Sequence, residues 1–276
     1  MAGPISISPA TVGLAVILFA IAAWIFVRIA QDIAAVDGKV RSAEYDLSEL
    51  LMTFVLVGFF GLTMVSAIRR HAQGSHPITI DAVLPSSYLF IVLTIGIICF
   101  LQFARRLSMP QMLGLERLKP LATASWAVGL VFAAMPLAGA ANSLTIYAMH
   151  GQAEPQPLVD LFARMARVHD YGALAKIALA GVVIQPACEE FIFRGFFYGV
   201  WKRFIGPLPA GLLACALFAA FHTSLTALGG LFVLAICLNL AYERTGSLLV
   251  PIGMHALFNL SSLLVIFLQA QAPLPS

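Results

Sequence analysis

Cys188-Glu189-Glu190-Phe191-Ile192-Phe193-Arg194-Gly195 sets two carboxylates and a guanidinium inside a mostly apolar run from Ala173 to Val200. A charge near the centre of a bilayer costs roughly 2.5–3.5 kcal/mol on insertion scales, so such a cluster predicts specific partners. On a helix, Glu190 and Arg194 stand at i, i+4 and can pair along one face, whereas Glu189 lies about 100° around the axis. One carboxylate is then neutralised within its own helix and the other is left free. A free carboxylate at a site that withholds bulk water is a candidate general base.

The rest of the chain supplies the membrane this reading needs. Of its 276 residues 61% are hydrophobic and 11% charged, with a mean hydropathy of +0.94. That composition predicts an all-α, polytopic membrane helical bundle. The net charge of +3 is spread without a basic patch, which excludes a nucleic-acid partner. Cys99, Cys188, Cys215 and Cys237 all fall in apolar segments without metal-type spacing, so they read as small buried hydrophobes and not as disulfides. Cys188 beside Glu189 is a weaker candidate nucleophile, because the helix would turn the two side chains apart.

Apolar runs predict about eight transmembrane helices. They cover Thr11–Val27, Leu50–Ile68, Leu84–Ala104, Leu121–Met149, Gly172–Val200, Pro209–Thr223, Ala227–Tyr242 and Leu248–Leu268. The first has no basic residue before it and reads as a retained span, not a secretory signal. The sixth and seventh are short for a bilayer, at about 15 residues where about 20 are needed. Gln31 to Glu49 reads as a helix extension or short surface helix, and Pro136 with Gly139 predicts a kink in the fourth span. Between the fourth and fifth spans, Leu158, Leu161, Phe162 and Met165 recur at helical spacing opposite Asp160, Arg164 and Arg167, predicting a helix that lies in the interface. No linker or internal repeat divides the chain, so 1–276 is expected to be a single integral-membrane domain, with a motif-bearing core over about 172–268. Basic residues concentrate in the loops after the odd-numbered spans, among them Lys39, Arg41, Arg105, Arg106, Arg117, Lys119, Lys202, Arg203 and Arg244. The positive-inside rule then puts both termini outside the cytoplasm.

Further polar residues stand inside the late spans: His222 in the sixth, and His255 with Asn259 at i, i+4 in the eighth. Counted along each helix from the side of Lys202 and Arg203, Glu189 lies roughly 16 Å deep, His222 21 Å, His255 12 Å and Asn259 18 Å. Groups from separate helices at similar depth form a site if those helices are neighbours. Taken singly, a membrane His is more often a hydrogen-bonded core residue and a lone Asn more often a bridge between helices.

Glu189-Glu190-x-x-x-Arg194, Phe218-x-x-x-His222 and His255-x-x-x-Asn259 occur in that order, and with them the chain resembles the CPBP family of type II CAAX prenyl proteases and bacteriocin-processing (Abi) enzymes. Leu113-Gly114-Leu115 is similar to a short upstream element of the same family. The resemblance implies an intramembrane endopeptidase acting on a membrane-associated or C-terminally anchored protein or peptide, within the bilayer and, for a bacterial host, in the inner cell membrane. It implies that Glu189 with His222 activates a water, that His255 and Asn259 bind the developing oxyanion, and that Glu190 and Arg194 fix the helix geometry. No cofactor is expected. Zinc is the alternative, with Glu189, His222 and His255 as its ligands, but no H-E-x-x-H is present and an amide suits hydrogen bonding better than zinc. Two other function classes remain: a catalytically silent membrane scaffold or immunity-type protein, and a proton-coupled transporter using the intramembrane ionisable residues.

Overall fold

The computed structural model describes residues 8–36, 38–72, 80–151 and 157–271. Every regular element among them is helical: α1 (Pro9–Val36), α2 (Leu47–Ala72), α3 (Ile80–Cys99) with a wide turn Phe100–Ala104, α4 (Met109–Met112), α5 (Pro120–Ala148), α6 (Pro157–Arg167), α7 (Tyr171–Ile205), α8 (Pro207–Phe221), α9 (Leu228–Thr245) and α10 (Leu249–Gln271). Seven of the described helices, all but α4, α6 and α8, are long and apolar enough to cross a membrane. The chain is a polytopic helical bundle. α8, with 15 residues, is the expected short sixth span. α9 differs from expectation: at 18 residues it continues to Thr245, where Gly246, at φ +68°, closes it with its N–H on the Tyr242 carbonyl. α1 runs on past the apolar stretch to Val36, and α5 passes through Pro136 as one helix.

Outward faces are apolar because their solvent is lipid. Phe103, Leu121 and Leu62, for example, are each more than 70% exposed. For the same reason Cys99 is not the buried hydrophobe expected; it lies on the outer face of α3, while Cys188, Cys215 and Cys237 are buried. Without a hydrophobic drive between helices, close packing and polar links hold such bundles together. α9 approaches α5 closely through Gly229 and Gly230, where a Cβ would stand 2.2 Å from Thr145 Oγ1 and 2.9 Å from Asn142 Cβ. Around α7, Phe60 of α2 makes ring contacts with Phe90, Phe193, Phe197 and Phe221 at centroid distances of 6.2, 6.0, 6.0 and 4.7 Å.

α7 organises the molecule. Its 35 residues extend roughly 52 Å, well beyond a hydrocarbon core of about 30 Å. At its N-terminal end α6 packs against α7 and α10. Leu161, Phe162 and Ala166 are buried there against Leu174, Ile177, Ala180 and Leu263. At the opposite end, loop residues enter the bundle. Tyr45 donates its hydroxyl to the Gly195 carbonyl at 2.9 Å, and burial pushes that hydroxyl well above its usual range, so it remains a donor. Leu113 accepts from the Leu248 N–H at 2.9 Å, and Gly114, at φ +62°, lies where a Cβ would strike the Gly246 carbonyl.

Candidate active site

Backbone geometry prepares the site. α7 widens into π-helical turns at Leu179–Ile184 and Phe191–Tyr198, on either side of the α-helical Gln185–Glu190. Such turns are frequent at functional sites. Gln185 donates its N–H to Ala180, five residues back. The equivalent donor for Gly181 would be residue 186, which is proline and has no N–H. Asn259 of α10 fills the gap, its Nδ2 donating to the Gly181 carbonyl at 2.8 Å.

The carboxylate pair is buried. Arg194 Nη1 donates to Glu190 Oε1 at 3.0 Å, as the i, i+4 spacing predicted. The same oxygen lies 2.8 Å from His255 Nδ1. Arg194 continues outward: Nη2 donates to the Ala235 carbonyl of α9 at 3.3 Å, and the guanidinium lies over the Phe218 ring at 4.3 Å. Glu189 is on the other side of His255, its Oε2 3.9 Å from Nε2. His255 therefore stands between the two carboxylates, oriented by Glu190 and facing Glu189 through the second ring nitrogen. Glu190, Arg194 and His255 are at most 2% exposed, and Glu189 is 9% exposed.

Phe218 ties His222 to this group. Its ring is 4.7 Å from the His222 ring and 5.7 Å from that of His255. His222 Nδ1 is 2.8 Å from the Phe218 carbonyl, and Nε2 has no hydrogen-bond partner among the described residues. His222 caps the C-terminus of α8, and Thr223 after it has φ +51°. His255 and Asn259 share one face of α10 but reach different partners, the carboxylates and the Gly181 carbonyl. No hydrogen bond or ion pair among the described residues joins Glu189 to His222, or Cys188 to either. Nor does any group of three or more His, Cys, Asp or Glu side chains among the described residues form a metal-holding cluster.

The sequence hid a second buried charge centre. Glu243 of α9 accepts at Oε2 from the N–H groups of Lys39 and Val40, at 2.8 and 3.1 Å. Its Oε1 accepts from Lys202 Nζ at 2.6 Å and from the Tyr198 hydroxyl. In sequence Glu243 looks like a loop charge beside Arg244. The available signal was the spacing of Glu190, Arg194, Tyr198 and Lys202, which repeats every four residues along α7. Likewise, Phe218 entered the sequence reading only as a motif letter, although its ring contacts Arg194, His222 and His255.

Residues 172–261 match the family model described as type II CAAX prenyl endopeptidase Rce1-like. No curated protein and no solved structure matches the chain. The match supports, in general terms, an intramembrane protease of CAAX type acting on a protein substrate. The segment carrying Glu189, Glu190, Arg194, His222, His255 and Asn259 is the part of the chain similar to the Rce1-like endopeptidases, the family to which its motifs point.

Proposed function

We propose that the protein is a glutamic-type intramembrane endopeptidase, hydrolysing a peptide bond of a membrane-associated or C-terminally anchored protein. The observation that carries this reading is His255 held between two carboxylates, at 2.8 Å from Glu190 and 3.9 Å from Glu189, with Arg194 behind. In the proposed reaction a water lies between Glu189 and the unoccupied nitrogen of His222. Glu189 takes one proton as the water oxygen attacks the scissile carbonyl carbon. The carbonyl oxygen becomes the oxyanion and accepts from the second Nδ2 proton of Asn259 and from Nε2–H of His255, which in this reaction carries a proton on each ring nitrogen, the Nδ1 proton being held by Glu190. Glu189 then returns its proton to the amide nitrogen as the carbon–nitrogen bond breaks, and the new carboxylic acid passes its remaining proton to the amine, yielding a carboxylate and an ammonium. Glu190 and Arg194 are positioning residues: they orient His255 and touch no reacting atom.

The whole chain acts as one membrane domain, with the bilayer and a membrane-anchored polypeptide as its partners. A bacterial inner membrane is the compartment we assign. Mass spectrometry of membrane and secreted peptides from host cells, with wild type or Glu189→Gln at matched abundance, tests the reading. A processed peptide present only with the wild type supports it and names the substrate; identical peptide sets count against it.

A further inference from the structure

Phe218 meets one polar side chain from each of the three helices that carry the site. Its ring, fully buried, lies 4.3 Å from the guanidinium of Arg194 on α7, 4.7 Å from the ring of His222 at the end of its own helix and 5.7 Å from the ring of His255 on α10. Phe193 of α7 closes it in at right angles, 5.3 Å away.

Arg194 gives the ring an electrostatic task. A guanidinium carries five N–H donors, and among the described residues its acceptors are Glu190 Oε1 and the Ala235 carbonyl. Those two acceptors leave a buried cation short of partners. An aromatic face attracts a cation without accepting a hydrogen bond, and the attraction is strongest where water is excluded. His222 depends on the same residue twice. Its Nδ1 is 2.8 Å from the Phe218 carbonyl, and a carbonyl only accepts, so Nδ1 carries the proton and the lone pair of the neutral imidazole is on Nε2. That hydrogen bond fixes one corner of the imidazole, and the ring contact fixes its tilt.

Resting on the protease reading, we infer that Phe218 is a positioning residue: its ring, anchored on the Arg194 cation, sets where Nε2 of His222 stands relative to Glu189 and His255. Phe218 takes up no proton and acts through His222. Packing alone needs only an apolar side chain of this volume, whereas anchoring on a cation also needs the electron-rich face.

Fluorine separates these two needs, because it withdraws electron density from the face of a phenyl ring and adds little volume. Mono-, di- and trifluorophenylalanine at position 218 therefore loosen the hold on Arg194 step by step while the packing stays. The readout is cleavage of a Glu189-dependent peptide by purified protein in vesicles. Its rate should fall with each added fluorine, to about a tenth of the wild-type rate or less with three, the scale of a desolvated cation–π contact. The same series at Phe197, also fully buried but in ring contact with Phe60, Phe193, Phe196 and Trp201, should leave the rate unchanged. A wild-type rate with the trifluorinated ring at position 218, or an equal fall in both series, overturns the positioning role. Glu189→Gln, measured alongside, tells the two claims apart. If it stops cleavage while the series at position 218 changes nothing, the protease reading stands and this inference fails; if no cleavage depends on Glu189, both fail.

Discussion

Glu190 Oε1 receives both Arg194 and His255, at 3.0 and 2.8 Å, so a single carboxylate oxygen fixes the positions of a guanidinium and an imidazole. Removing one partner of a buried ion pair leaves an uncompensated charge and costs about 3–5 kcal/mol. Arg194→Ala should therefore lower abundance and thermal stability by an amount in that range, measured by detergent unfolding; a variant as stable as wild type would show the pair to be dispensable. Asn259 poses a different problem. Its Nδ2 serves the Gly181 carbonyl that Pro186 leaves without a backbone donor. Asn259→Asp replaces that donor with an acceptor, so it should destabilise the fold by about 1–3 kcal/mol, the cost of orphaning a buried polar group. An unchanged unfolding midpoint would place the Gly181 carbonyl with another donor.

At the scale of elements, α7 is held at three heights. α10 reaches it through Asn259 and His255, α9 through the Ala235 carbonyl and Glu243, and the loop after α1 through Tyr45 and Val40. Glu243 joins two of these supports, since it accepts from loop N–H groups at one oxygen and from Lys202 and Tyr198 at the other. Glu243→Ala leaves Lys202 buried without its carboxylate and should cost about 3–5 kcal/mol. The loop should loosen with it, read as faster amide hydrogen exchange at Lys39 and Val40; unchanged exchange would contradict the joint role.

Hydrophobic runs and i, i+4 spacing made the helices and the Glu190–Arg194 pair legible in sequence, because both are local properties. Counting depth also placed Glu189 and His255 within reach of each other. What stayed hidden depends on neighbours. The sequence cannot tell a lipid-facing Cys99 from a buried one when both environments are apolar. It gave Glu243 no partner because Lys39, Val40 and Lys202 come from distant segments.

Over the whole molecule, the two ends of the bundle differ in charge. Lys39, Arg41, Arg105, Arg106, Arg117, Lys119, Lys202, Arg203 and Arg244 belong to the end of Glu243, while α6 belongs to the other. On the positive-inside rule we propose that the first end faces the cytoplasm. A sulfonated maleimide given to intact cells should label His169→Cys and reach Glu116→Cys only after the membrane is opened; the reverse pattern would invert the orientation. The central claim, that Glu189 performs the chemistry in a site organised around His255, is tested most directly by the cleavage rate of the identified peptide with purified protein in vesicles. Glu189→Gln should lower that rate by about 10²–10⁴-fold, the usual contribution of a general base, with the unfolding midpoint unchanged. A folded Glu189→Gln protein that cleaves at the wild-type rate would contradict it.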